Sequence, residues 1–170
     1  GMQYRVTRKA REAAQQYGIC YLTGDEGQTL LYHVTTSGIT MQKLNENNQA
    51  GEVFTGWVKL YGADGVYEKY DYYYLGNDGK PVTGLQEIDG KKYYFGNGGC
   101  LEKGNYIKQG NKVVYNGWVK YMTGKTSYGM RYYEEKTGEM YTGIHTINGT
   151  TFYLDPQTGY RLSGIQYVDG

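Results

Sequence analysis

The sequence predicts a mostly β protein, a solenoid of tandem β-hairpin repeats preceded by a short N-terminal helix. Three observations predict it. Glycine and tyrosine are abundant, at 27 and 22 of 170 residues, while proline is held to 2. Turns need glycine and strands favour tyrosine, so the two together mark many short strands joined by tight turns. A glycine followed by an apolar residue recurs along the chain, and each recurrence opens a similar segment of hairpin length. Asp-Gly and Asn-Gly dipeptides lie inside those segments, where a two-residue hairpin turn needs positive φ.

The elements follow in order. Residues 5–17 (RVTRKAREAAQQY) contain no glycine and are rich in good helix formers. They predict a helix that caps the first hairpin, or alternatively a linker from an upstream domain. The chain thus divides into 1–17 and a repeat array over 18–170, with units starting near 18, 56, 84, 104, 117, 143 and 164. Gly18-Ile19 opens the most diverged copy. Gly56-Trp57 and Gly117-Trp118 open longer copies that share GWVK, with loops expected at 62–69 and 124–129. Gly84-Leu85 opens GLQEIDGKKYYFGNGG, and Gly143-Ile144 opens GIHTINGTTFYLDPQTG. Their first turns fall at Asp89-Gly90 and Asn148-Gly149. GNKVVY at 110–115 echoes GKKYYF and marks a shortened copy. Gly164-Ile165 opens a last copy of one strand and a turn. Such an edge can pair with a second chain, so a homodimer through it is expected.

Alternation along a strand assigns the faces. Tyr73, Tyr93, Tyr132 and Phe152 align on the core side, with Leu75, Phe95 and Leu154 two residues further on the same face. Tyr74, Tyr94, Tyr133 and Tyr153 fall between them and point outward. Trp57, Leu85, Trp118 and Ile144 follow the opening glycine, and Leu60, Ile88 and Ile147 lie three residues later on the opposite face. An isolated hairpin is marginal in water, so neighbouring hairpins must cover this apolar surface.

Several function classes are disfavoured. Net charge is +1, from 18 basic and 17 acidic residues without a basic block, so no nucleic-acid partner is expected. No apolar run approaches the ~20 residues of a membrane span, and no signal peptide is visible. Cys20 and Cys100 fit no metal or redox spacing and are expected as free thiols. His33 and His145 sit in different repeats and form no nucleophile–base arrangement. Calcium loops and phosphate-binding glycine motifs are absent from the sequence. The expectation is a protein that is not an enzyme and uses no cofactor and no metal.

TGLQEIDGKKYYFGNGG at 83–99 and TGIHTINGTTFYLDPQTG at 142–159, with TGWVK at 55–59, resemble a known family. They are similar to the cell-wall-binding, choline-binding-type repeats of Gram-positive surface proteins. They are equally similar to the glucan-binding repeats of glucosyltransferases and to the C-terminal repetitive oligopeptides of clostridial toxins. The resemblance covers residues 18–170 and implies an extracellular or cell-wall-associated binder of a cell-wall or surface polysaccharide, with choline as one candidate ligand. In the choline-binding branch it implies aromatic cages between consecutive hairpins, walled by the tryptophan after the opening glycine. Here Trp57 with Tyr72 and Tyr74, and Trp118 with Tyr133, match that pattern, while Lys92 and Arg131 place cations that would repel choline. For a sugar, whose C–H face stacks on a ring, the outward Tyr74, Tyr94, Tyr133 and Tyr153 are the candidates. The alternative from a different class is a structural spacer or oligomerisation module, with these aromatics as packing residues.

Overall fold

The computed structural model describes residues 5–6, 12, 14–16, 18–23, 29–35, 38–63 and 68–163. Its strands, in chain order, are β1 Arg5–Val6, β2 Ile19–Thr23, β3 Thr29–Thr35, β4 Gly38–Leu44, β5 Ala50–Val53, β6 Gly56–Ala63, β7 Glu68–Leu75, β8 Gly84–Ile88 and β9 Lys91–Phe95. They continue as β10 Asn105–Gln109, β11 Lys112–Asn116, β12 Trp118–Met122, β13 Tyr128–Tyr132, β14 Gly143–Ile147, β15 Thr150–Leu154 and β16 Arg161–Leu162. The chain is mostly β, built of small sheets in which consecutive strands pair antiparallel. Among the described residues, helix is confined to 12 and 14–16, and no helix is long and apolar enough to cross a membrane.

The segment expected to be helical from residue 5 starts instead as a strand. Arg5 and Val6 pair in parallel with Lys59 and Leu60 of β6. An exposed strand edge offers unpaired backbone groups, and filling it outweighs the modest helix preference of the segment's first residues. The repeat copy expected at Gly164 and its proposed dimer edge lie outside the described residues.

The chain separates into two compact units. One comprises Gly1–Gln86, Phe95–Leu101 and Lys108–Val113; the other comprises Glu87–Tyr94, Glu102–Ile107 and Val114–Gly170. In the first unit, β2 to β5 form an antiparallel meander. Its core gathers Leu22, Leu30, Tyr32, Met41, Val58 and Leu75, with Ala14 buried against them. β6 and β7 pair from Gly56↔Leu75 out to Ala63↔Glu68, so the GWVK hairpin runs further than the sequence suggests.

In the second unit, β12 pairs β13 from Trp118↔Tyr132 to Met122↔Tyr128, and β14 pairs β15 from Gly143↔Leu154 to Ile147↔Thr150. The tight turns have the expected geometry. Asp89 and Gly90 have φ of 52° and 76°, and Asn148 and Gly149 have 51° and 82°. Two consecutive positive-φ residues match the right-handed twist of the strands they join.

Each aromatic strand ends in a second turn that returns the chain onto it. Leu75 bridges Pro81, Phe95 bridges Leu101, Tyr133 bridges Met140, and Leu154 pairs with Arg161. Adjacent hairpins are also tied by backbone within each unit. Leu101 N donates to Tyr72 O in the first, and Met140 N donates to Lys92 O in the second.

Candidate functional site

The strand register decides which rings meet. The opening glycine faces Leu75 in β6/β7 and Leu154 in β14/β15, and Gly117 O accepts from Tyr133 N in the third hairpin. Leu75, Tyr133 and Leu154 are therefore equivalent, and Phe95 joins them through its matching bridge. All four are 0% exposed, so this is the core-facing position of these four repeats. The residue before it, Tyr74, Tyr132 or Tyr153, stands opposite the residue after the glycine.

The expected outward placement of Tyr133 is therefore corrected. Tyr133 is a core residue, and Tyr132, expected on the core side, is the partner of Trp118. Aligning the repeats on their tyrosines slipped this copy by one residue, and a slip of one moves every side chain to the other face. The signal that corrects it is present in the sequence. Tyr133 precedes Gly138 by the same interval at which Leu154 precedes Gly159. The same slip affects Arg131, which shares the core-side position of Tyr73, Tyr93 and Phe152 and is only 6% exposed.

Trp57 and Tyr74 are cross-strand partners with ring centroids 5.3 Å apart, edge to face at 77°. Phe95 lies against the same indole at 5.9 Å. One pair further along, Lys59 stands opposite Tyr72 with its ammonium 5.8 Å from the ring centroid. Burial raises the Tyr72 phenol above its ordinary range.

Trp118 gathers a second cluster. Tyr132 meets it at 5.1 Å and 73°, and Phe152 at 5.0 Å and 71°. The exposed Arg161 guanidinium lies 5.5 Å from the Trp118 ring and 5.9 Å from Phe152. Tyr141 packs on Tyr132 at 5.0 Å and stacks on His145 at 4.1 Å. His145 Nε2 is hydrogen-bonded to Thr142 O, a structural engagement. Trp57 and Trp118 are both half-buried, as a ring that packs on one face and meets solvent on the other must be.

The remaining expected residues separate. Tyr94 lies beneath Arg131, 5.0 Å from ring centroid to guanidinium carbon. Tyr153 is half-buried opposite Ile144, which is 59% exposed. Tyr133 donates to or accepts from the Tyr121 hydroxyl at 2.7 Å. Burial pushes the Tyr121 phenol up to about 12 and pushes Tyr133 up as well. The sequence places Tyr132 and Phe152 on the core side rather than in a site, and it does not single out Arg161, Tyr121 or Tyr160. The Cys100 sulfur lies 3.6 Å from Asp71 Oδ1. The side chain of Cys20 lies outside the described residues.

This geometry defines a β-hairpin repeat protein with tryptophan-walled ring clusters at its hairpin faces. No family model matches the chain. It is 38% identical over 102 residues to glucosyltransferase-S of Streptococcus mutans serotype c, across 59% of this chain and 6% of that protein. It is 31% identical over 105 residues to glucosyltransferase-I of Streptococcus downei, again across 59% of this chain and 6% of that protein. The chain therefore spans a small fraction of these relatives. Among solved structures, choline binding protein F from Streptococcus pneumoniae aligns at 25% identity and a TM-score of 0.29, over 90% of this chain and 47% of that one. The repeats are thus similar to segments of streptococcal glucosyltransferases.

Proposed function

We propose that this chain is a non-catalytic, extracellular or cell-wall-associated module that binds a cell-surface glycan. Binding falls on the Trp118–Tyr132–Phe152 and Trp57–Tyr74 clusters, with the hairpins stacked as a solenoid that carries several weak sites. The observation that carries the reading is the Trp118 cluster. Two rings hold a half-buried indole edge to face, and an exposed guanidinium stands at its rim. A sugar needs that combination of an apolar ring face and a hydrogen-bond donor beside it. Similarity to segments of two streptococcal glucosyltransferases supports a glycan.

Choline-bearing teichoic acid is the second ligand of the same reading. The aromatic character of both clusters favours it, because a quaternary ammonium is drawn to ring faces. The basic side chains disfavour it. Arg161 already lies over Trp118, and Lys59 over Tyr72 flanks Trp57. A glycan is therefore preferred. Several sites on one chain raise avidity by about 10²–10⁴-fold without any new contact.

The test is a titration of tryptophan fluorescence, since both tryptophans of the chain lie in the proposed clusters. A dextran series, a peptidoglycan-fragment series and choline chloride are compared. The expected result is a saturable change with a glycan, lost in Trp118→Ala and reduced in Trp57→Ala proteins that stay folded. A response to choline alone would replace the glycan with choline. Silence with every ligand would overturn the binding reading in favour of a structural module.

A further inference from the structure

β10 departs from the other strands. It forms the outer edge of the sheet ordered β1-β6-β7-β11-β10, so one row of its backbone groups pairs with no strand of that sheet. Every residue from Asn105 to Gln109 is exposed, whereas each other strand from β2 onward holds at least one residue buried or half-buried. The cause is a loss of core anchors. Counted from the turns, Gln109 takes the place of the buried Ile88 and Ile147, and Asn116 takes the place of the fully buried Phe95 and Leu154. An amide without a hydrogen-bond partner is costly to bury, so this hairpin stays at the surface. Asn105 Nδ2 holds it there by donating to Trp118 O at 3.1 Å. The strand nevertheless keeps apolar side chains, with Tyr106 48% and Ile107 53% exposed. Adjacent strand residues face opposite ways, so neither face of β10 is purely polar. It contains no proline, and Lys108 is its one charge. Such an edge is poorly protected against pairing with another strand.

The backbone decides which groups are on offer. Gly110 and Asn111 form the two-residue turn between β10 and β11, and Gly110 has the positive φ, 63°, that opens such a turn. Gln109 and Lys112 flank that turn and exchange its closing hydrogen bonds, and Ile107 and Asn105 follow by alternation in facing β11. Tyr106 and Lys108 therefore turn their N–H and C=O groups outward. An antiparallel neighbour has to meet those two residues.

We propose that β10 is a self-association edge, which pairs antiparallel with β10 of a second copy about a two-fold axis at Ile107. In that register Tyr106 stands opposite Lys108 of the other copy, Ile107 opposite Ile107, and Asn105 opposite Gln109. The two Tyr106–Lys108 pairs carry the hydrogen bonds, about four in all. Each also sets an ammonium beside a ring. Ile107 meets its own copy, and two amides meet at each end. The strand selects this register over its neighbours. Centring on Lys108 would put two ammonium groups face to face, and centring on Tyr106 would carry Gln109 past the end of the partner strand. A two-fold pairing occupies both edges at once, so it closes as a dimer. It uses neither tryptophan side chain nor the last repeat copy, and it does not depend on glycan binding.

The experiment is sedimentation velocity of the wild type from about 10 µM to about 1 mM. A reversible monomer–dimer equilibrium with a Kd on the order of 100 µM is expected, as suits an interface below standard size. Ile107→Lys sets two ammonium groups opposite each other at the axis, and Lys108→Pro removes an outward N–H without touching the bonds to β11. Each should weaken the dimer about tenfold or more while the melting curve still shows a folded chain. Ile107→Val should dimerise like wild type. Ile107→Cys should form a disulfide dimer under mild oxidation, because a non-hydrogen-bonded cross-strand pair holds its Cα atoms about 4.5 Å apart, within disulfide range. Gln109→Cys, which faces Asn105 in this register, should not, and wild type with its native Cys20 and Cys100 is the blank. A wild type that stays monomeric throughout, a dimer indifferent to Ile107→Lys, or Gln109→Cys cross-linking as readily as Ile107→Cys would each overturn the proposal. If Lys108→Pro does not fold, Ile107→Lys decides, since its side chain lies at an exposed position.

Discussion

Replacing Tyr133 with Phe removes one hydroxyl from a fully buried ring and leaves every carbon in place. That hydroxyl lies 2.7 Å from the hydroxyl of the half-buried Tyr121. A neutral hydrogen bond contributes about 1 kcal/mol net, and a buried group left without its partner adds part of a desolvation penalty of about 1–3 kcal/mol. Because Tyr121 keeps some access to water, the total should be about 1–2 kcal/mol. For a chain of 170 residues that lowers the melting temperature by roughly 2–8 °C. Urea unfolding at neutral pH, followed by tyrosine near-ultraviolet dichroism, reads the same loss as a lower midpoint. The double variant Tyr121→Phe with Tyr133→Phe removes both polar groups. It should lose less than the two single changes added together, with coupling on the order of 1 kcal/mol. Alkali supplies a second readout. Burial raises both phenols, so the folded state holds their protons longer than the unfolded chain does. The stabilisation is complete below the ordinary tyrosine pKa of about 10 and is lost as pH rises through the folded values, through about 12 for Tyr121. Tyr133→Phe should flatten that alkaline decline. An unchanged neutral midpoint together with an unchanged alkaline profile would refute the buried placement of Tyr133 and the register that rests on it.

Other expectations follow from the same geometry. Gly117→Ala would bring a Cβ to 2.3 Å from Tyr133 O and 2.7 Å from the Tyr132 ring, so the hairpin must distort; a loss of at least about 2 kcal/mol in urea unfolding is expected. Phe95→Ala should cost about 3–5 kcal/mol, whereas Leu85→Ala, at a position 42% exposed, should change stability by about 0.5 kcal/mol or less. Near-equal effects in the two would contradict the assignment of faces. Asp155 accepts hydrogen bonds from Thr158 N and Gln157 N, and these amides hold its carboxyl below its ordinary value. Its contribution is present above about pH 4 and is lost as pH falls through the lowered folded pKa. Asp155→Asn should therefore flatten the acid limb of a pH–melting curve, at a cost below about 1 kcal/mol at neutral pH because the turn is exposed.

One repeat frame carries different chemistry in successive copies. The core-side position that holds Tyr73, Tyr93 and Phe152 holds Arg131 in the copy opened by Gly117. The position after the opening glycine is a half-buried tryptophan in the GWVK copies and an exposed Leu85 or Ile144 in the others. Ring clusters therefore gather at the tryptophans. The exposed apolar residues of the intervening copies make fewer ring contacts.

The sequence alone carried the hairpin period and the turns. Asp89-Gly90 and Asn148-Gly149 have positive φ because few other residue pairs adopt that conformation without strain. Burial of Leu75, Phe95 and Leu154 also followed from alternation, since a strand with one wet face sends every second side chain inward. The grouping of Trp57 with Tyr72 and Tyr74 came from the family resemblance, and the register makes Tyr74 the cross-strand partner. The choice between Tyr132 and Tyr133 was not settled by adjacent tyrosines, because either residue suits a strand. It was decided by the backbone pairing of Gly117 with Tyr133 and by the depth of the core that receives the second ring. The strand at Arg5–Val6 likewise depended on the open edge of β6, a partner more than fifty positions away that no local propensity registers. The rings around Arg131 depended on the tertiary structure in the same way. Tyr94, Tyr121 and Tyr160 belong to segments far apart in sequence, and only their packing brings three ring faces to one guanidinium.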